Sequence, residues 1–240
     1  MSAPVSEANT NPQSLLQQRQ ALLPTLFSGG VSLGACDPQD QPPAPFPEEA
    51  ACLSPTAVDK RRREFAAGRA AAHQAMRASG REPCPILVGP KRAPLWPRGV
   101  VGTISHTRSF ACAALASALS HRGIGLDVEE DTPLSRDLWP SIASEAEQAW
   151  MRQQDDPGQA GKLLFSAKEA AYKAQYCASA RYFGFDGMEL RFEMAKGRFS
   201  AQFTADQLPF HAGDTLKGRF AIAAGVILTA VEIPNHEPCA

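Results

Sequence analysis

The chain lacks the marks of several specialised protein classes. Its six cysteines stand at 36, 52, 84, 112, 177 and 239, at least 16 residues apart, so no CxxC pair or zinc-ligand spacing occurs. No long apolar run is present. The most apolar stretch, Phe220 to Ile233, is 14 residues broken by Gly225 and Thr229, too short to span a bilayer. Met1 to Gln20 is polar and has no apolar core of a signal peptide. Charge of one sign is missing too: 24 Lys and Arg against 25 Asp and Glu leave −1. Nucleic-acid binders carry a cationic excess to replace counterions, so that class is excluded and any phosphate must be held by local clusters. These absences predict a reduced, cytoplasmic, soluble protein with no stable membrane insertion.

What is present is an ordinary globular composition, 44% hydrophobic over 240 residues. A chain of that length buries about 70% of its unfolded surface without disulfide or metal staples. Residues 1–53 read as an N-terminal tail and linker, because prolines at 38, 42, 43, 45, 47 and 55 crowd one stretch. Ser54-Pro55 reads as the start of a long helix over Thr56 to Ser79, stopped by Gly80. Short runs over Ile86 to Val88, Val100 to Thr107, Phe110 to Ala116 and Gly123 to Glu129 have strand character. Ser144 and Glu147 form a capping box, and Asp155 to Gly158 reads as a turn. A second long helix is predicted over Lys162 to Ala178, starting no later than Ser166. Gly187 to Glu193, Arg198 to Thr204 and Arg219 to Glu232 read as antiparallel strands with turns at Lys196-Gly197 and Lys217-Gly218. Helix then strands, twice over, predicts two α+β halves, at 54–128 and 129–240, although no residue-level repeat supports it.

Four segments carry chemistry-bearing residues. In Gly123 to Glu129, the apolar Ile124, Leu126 and Val128 alternate with Gly125, Asp127 and Glu129. Asp127 and Glu129 therefore share the face away from the core, about 6.6 Å apart, a spacing that suits one hard divalent cation. The bland reading is a solvated strand end. On the second helix Phe165, Glu169 and Lys173 share a face at i, i+4, i+8. Here a Ser166–Glu169 capping box and a surface Glu–Lys pair compete with a metal and phosphate site. Arg61 and Arg69 lie about 80° apart around the first helix, within reach of one phosphate; a solvated basic face is the alternative. Ser105 and His106 end a strand on opposite faces, so they make a poor nucleophile–base pair, though each can donate to phosphate.

In order, these segments are far more specific than any one of them. Gly125-Leu126-Asp127-x-Glu129, then Phe165-Ser166-x-Lys168-Glu169-x-x-x-Lys173, resembles the signature pair of 4′-phosphopantetheinyl transferases. Lys60-Arg61-x-x-Glu64-Phe65-x-x-Gly68-Arg69 and Trp96-Pro97 through Thr103-Ile104-Ser105-His106 resemble the branch related to enterobactin synthetase component D. The resemblance implies two similar α+β halves in pseudo-two-fold arrangement with the active site in the cleft between them. It implies transfer of the phosphopantetheine arm of coenzyme A to a serine of an apo acyl or peptidyl carrier protein, releasing adenosine 3′,5′-bisphosphate. Asp127, Glu129 and Glu169 would hold Mg²⁺, with Glu169, Lys173 and Lys168 at the reacting phosphates. Ser105, His106, Arg61 and Arg69 would bind coenzyme A. Two departures stand out: Val88 occupies a position often basic in relatives, with Lys91 or Arg92 as stand-ins, and Thr103 replaces a serine. A Mg²⁺-dependent coenzyme A pyrophosphate hydrolase and a non-catalytic carrier-binding module are the competing classes. A two-half chain completes its own cleft, so a monomer is expected.

Overall fold

The structure is a computed structural model that describes residues 12–235. Residues 1–11 of the expected tail, and Cys239, lie outside the described residues. Helix α1 (Pro12–Leu22) leads to strand β1 (Val31–Cys36) and the short helix α2 (Pro47–Ala50). Helix α3 (Asp59–Ala78) is the first long helix, followed by the two-residue strands β2 (Leu87–Val88) and β3 (Pro94–Leu95). Strands β4 (Val100–His106), β5 (Ala111–Ser117) and β6 (His121–Glu130) come next. After the short helices α4 (Trp139–Ile142) and α5 (Glu145–Arg152) runs the longest helix, α6 (Pro157–Ser179). Strands β7 (Met188–Glu193), β8 (Arg198–Phe203), β9 (Thr215–Ala223) and β10 (Val226–Pro234) complete the fold. The class is α+β.

The strands form two principal antiparallel sheets, ordered β1-β5-β4 and β6-β10-β9-β8-β7. Their inner faces meet: Cys112 and Ala114 of β5, with Phe110 just before it, share one core with Ile124, Leu126 and Val128 of β6 and Leu228 and Ala230 of β10. The alternation of β6 thus works as the sequence pattern requires. Helix α3 covers the outer face of the first sheet and α6 that of the second.

The two sheets are built alike, and the likeness reaches individual residues. In each half a strand (β1 or β6) is followed by its covering helix and then by a hairpin whose last strand pairs back to it. The helix crosses that strand at a glycine. A Cβ at Gly34 would overlap the Ala71 carbonyl, and one at Gly125 the Ala170 carbonyl, so only glycine permits these approaches. Aligning Gly34 with Gly125 and Ala71 with Ala170 sets Cys36 against Asp127, Ala70 against Glu169 and Gln74 against Lys173. The repeat is real in space, but at these three aligned positions only the second half carries charged side chains.

Several sequence expectations are corrected. Residues 31–36, read as tail and linker, form the edge strand β1 paired to β5 along its whole length. Strand β6, assigned to the first half, pairs with β10 and belongs to the second sheet. Helix α6 begins earlier than expected: Asp156 caps it by accepting from Gly158 N and Gln159 N, with Pro157 in the first turn. Lys217-Gly218 lies inside β9 rather than at a turn. The reversal comes at Ala224-Gly225, both at positive φ, which splits the single expected strand into β9 and β10.

Candidate active site

Asp127 is the centre of the cleft floor. Its position late in β6 points it away from the apolar set, as expected, yet it is buried rather than solvated because α6 and β4 close over it. Oδ1 accepts the Ser105 hydroxyl at 2.8 Å and the Lys173 ammonium at 2.7 Å, while Oδ2 accepts the Ser166 hydroxyl at 2.8 Å. Lys173 also donates to Ser105 Oγ at 3.1 Å and to the Leu126 carbonyl at 3.3 Å. Burial alone would lower the Lys173 pKa, but the Asp127 charge and hydrogen bond raise it, so the ammonium is firmly protonated.

The other two carboxylates flank this pair. Glu129 is half-buried and receives Lys162 at 3.2 Å. Glu169 is half-buried, and among the described residues none donates a hydrogen bond to it. Burial raises the pKa of both, and the Asp127 charge raises each further. Glu169 is therefore a carboxylate with unspent basicity beside a fixed ammonium. The capping-box alternative for Ser166 and Glu169 is removed. Both lie mid-helix, three turns beyond the Asp156 cap, and Ser166 is spent on Asp127. The box at Ser144 and Glu147 is present as read.

Lys168 is a correction. Its ammonium is buried and donates to the Ile142 carbonyl at 2.9 Å, Glu147 Oε2 at 2.7 Å and the Phe185 carbonyl at 2.8 Å. Lys173 also donates three hydrogen bonds, but its side chain is a quarter exposed and lines the cleft, whereas that of Lys168 is almost wholly buried among its partners. Lys168 ties α6 to α4 and α5, on a side of the helix turned from Asp127, and is not brought to the Asp127–Lys173 cluster.

A second cluster lies on α3 and β4. Arg61 donates through NH1 to His106 Nε2 at 3.2 Å, so that nitrogen is an acceptor and the imidazole is neutral. Burial first, then the Arg61 and Lys173 charges, push the His106 pKa down to about 4. Arg69 is buried, with its guanidinium carbon 4.4 Å from the Phe65 ring centre. Ser105 and His106 do face opposite ways: Ser105 toward Asp127, His106 toward Arg61.

Two cavities connect the clusters. One of about 480 Å³ is lined by Arg61, Phe65, Gly68, Arg69, Arg92 and His106. The other, about 610 Å³, lies between the halves and is lined by Lys91, Arg92, Trp96, Glu169, Tyr172 and Lys173 among others. Arg92, Pro94 and Ile104 line both, so one trough runs from the arginines to Glu169. Lys91 and Arg92 reach it from a turn at φ 52° and 65°, with the Lys91 ammonium 4.5 Å from the Tyr182 ring centre across the cleft. Sequence reasoning missed Tyr172 and Tyr176, whose helical spacing from Glu169 and Lys173 was the available signal.

Two family models cover most of the chain. The 4′-phosphopantetheinyl transferase N-terminal domain matches residues 48–116, and the 4′-phosphopantetheinyl transferase superfamily domain matches 123–225. The chain is 35% identical over 184 residues to the 4′-phosphopantetheinyl transferase Npt of Nocardia iowensis, covering 72% of this chain and 83% of that protein. It is 34% identical over 194 residues to PptT of Mycobacterium tuberculosis, covering 78% and 85%. Enterobactin synthase component D of Salmonella typhi is 40% identical over 118 residues, 48% of each chain. With the signature carboxylates and lysine gathered in one cleft and both domains of the family matched in order, the chain belongs to the 4′-phosphopantetheinyl transferase superfamily.

Proposed function

We propose that this transferase moves the 4′-phosphopantetheine arm of coenzyme A to a serine hydroxyl of an apo acyl or peptidyl carrier protein. The observation that carries the reading is the single trough joining an arginine–histidine cavity to the Asp127–Glu169–Lys173 cluster. A coenzyme A molecule has phosphate groups at two separated places, and the trough has cationic groups at two separated places. Arg61, Arg69, Arg92 and neutral His106 would hold the 3′-phosphate end. Lys173 and Ser105 would face the pyrophosphate, with Lys91 above it.

The carboxylates fit a hard divalent cation by donor chemistry. Asp127, Glu129 and Glu169 offer only oxygen, and each of the outer two is destabilised as an anion by burial and by the Asp127 charge, a cost that a cation relieves. Among the described residues no three acidic, histidine or cysteine side chains already stand as a metal cluster, so substrate phosphate oxygens would complete the ligand set. Mg²⁺ bound there would neutralise charge on the pyrophosphate.

In the reaction, Glu169 takes the proton from the carrier serine, whose oxygen attacks the phosphorus that bears the pantetheine arm. The new Ser O–P bond forms as the bond to the bridging oxygen breaks, and adenosine 3′,5′-bisphosphate leaves. Lys173, held by Asp127 and Ser105, stabilises charge on the phosphates without having to reorganise. Near-zero net charge agrees with this chemistry, which needs local cationic pockets and no broad basic surface.

The test is incubation with coenzyme A, Mg²⁺ and a panel of apo carrier proteins, read by intact mass. Arm attached to a carrier supports transfer. Cleavage of coenzyme A without modified carrier makes the enzyme a hydrolase, and no turnover with binding alone makes it a module.

A further inference from the structure

A buried glutamate recurs at matched places in the two halves. In the second, Glu147 on α5 accepts Ser144 N on Oε2 at 2.8 Å, Leu190 N on Oε1 at 2.8 Å, and the Lys168 ammonium at 2.7 Å. In the first, Glu49 on α2 accepts Phe46 N on Oε2 at 2.9 Å and Ile86 N on Oε1 at 2.8 Å. Arg69 Nε lies 3.7 Å from Glu49 Oε1, and His73 Nε2 lies 2.9 Å from the same oxygen. Both glutamates accept the amide three residues before them and an amide from the chain leading through the sheet region. Arg69 and Lys168 also correspond. Each stands two residues before the alanine whose carbonyl receives the strand glycine, Ala71 or Ala170.

The difference between the pairs is what each leaves unused. Lys168 spends all three protons inside the fold. Arg69 is located but not consumed. The Glu49 charge faces its Nε, which has no hydrogen-bond partner, the Phe65 ring covers its plane, and the side chain lines the cavity with Arg61 and His106. Two terminal guanidinium nitrogens in a fixed fork suit a phosphate. We propose that Glu49 is a positioning residue for the 3′-phosphate end of coenzyme A, holding Arg69 from behind so that its fork faces the cavity. The same anchor that locks the second half internally is opened in the first half to a ligand. The inference rests on the reading of that cavity as the coenzyme A subsite. Glu49 lies in the proline-rich stretch that composition marks as linker, yet it is 0% exposed. Burial raises its pKa, but the His73 bond and the two amides lower it more, and the carboxylate stays ionised against Arg69.

The experiment compares coenzyme A with dephospho-coenzyme A, which lacks the 3′-phosphate, as substrates for the wild type and for Glu49→Gln, Arg69→Ala and the double variant. The readout is the ratio of the two kcat/KM values, which does not depend on the fraction of enzyme that is folded. Glu49→Gln is expected to lower the ratio about tenfold, through the KM for coenzyme A with kcat nearly unchanged, as for loss of uniform binding. In the Arg69→Ala background it should lower the ratio no further, because the glutamate acts through that arginine. Phe65→Leu, which removes the ring but leaves Glu49 untouched, should also lower the ratio. Glu147→Gln should lower the melting temperature and leave the ratio at its wild-type value.

A wild-type ratio in Glu49→Gln alongside a lost ratio in Arg69→Ala overturns the role of Glu49 and leaves the cavity reading intact. An equal fall in Glu147→Gln, or a further fall in the double variant, overturns it as well. A wild type with no preference for coenzyme A removes the subsite itself, and Glu49 with it.

Discussion

The Lys173 ammonium lies 2.7 Å from Oδ1 of Asp127, and Ser105 of the opposite half donates to that same oxygen. The pair therefore joins the two halves as well as furnishing the cleft with a fixed positive charge. Asp127 cannot be treated as an exposed strand-end carboxylate. Its removal strands a largely desolvated ammonium and two hydroxyl donors.

This relationship separates Asp127 from Glu129. Asp127→Asn should lose activity at least a hundredfold and also melt earlier, by about 2–4 °C for each kcal/mol of stability lost in a chain of this size. Glu129→Gln breaks only the more accessible contact with Lys162 and should lose activity with little change in melting temperature. Thermal melts of the two purified variants decide it. A wild-type melting temperature in Asp127→Asn would mean that the network around it carries no stability.

Glu169→Gln should leave the melting temperature unchanged or raised, since it replaces a partly desolvated carboxylate by a neutral group of the same shape. As loss of a general base, it should lower kcat by about 10²–10⁴-fold. In the wild type the acid limb of kcat should fall above the ordinary carboxylate range, because the pKa of Glu169 is raised and the base is lost on protonation. Higher Mg²⁺ should move that limb to lower pH, as a cation favours the ionised carboxylates. An acid limb indifferent to Mg²⁺ would separate the base from the metal-binding set.

His106 gives a pH dependence of stability. Its pKa falls from the ordinary 6.5 to about 4 on folding. The unfolded chain therefore binds a proton more readily, and the neutral form's contribution is complete above about pH 6.5 and is lost progressively as pH falls toward 4. His106→Gln should flatten the acid side of the melting-temperature profile across that window. A profile as steep as wild type would place the acid sensitivity elsewhere.

Lys168→Ala tests the reassignment of this residue. Leaving Glu147 buried and unpaired should cost about 3–5 kcal/mol of stability. Coenzyme A affinity, measured by calorimetry below the lowered melting temperature, should stay near wild type. A weakened affinity with an unaltered melting temperature would return Lys168 to the phosphate site.

Local patterns explain which features were legible. The period of two in Ile124 to Glu129 determined a strand with Asp127 and Glu129 on one face. The i, i+4 spacing determined that Glu169 and Lys173 share a helix face. Both rules act over a few residues, and the fold respects them. The Ser144–Glu147 cap was legible for the same reason. Strand β1 was not: Val31, Leu33 and Ala35 do alternate with Ser32, Gly34 and Cys36, but the run is only six residues, has a central glycine beside the proline-rich stretch, and pairs with β5 some 80 residues later. Strand β6 could be recognised as a strand but not assigned to its sheet, since its partner β10 is about 100 residues away.

The sequence by itself determined which residues carry chemistry and which faces they share; tertiary structure alone decided which of them meet. Five residues of helix already set Lys168 and Lys173 about 140° apart, but only packing decided that one meets Glu147 and two carbonyls while the other meets Asp127. Arg69 and Glu49 lie 20 residues apart with a helix start between them, and no periodicity relates them. Electrostatic pairing depends on distance through space and on what water is excluded, and neither quantity exists until the halves have packed.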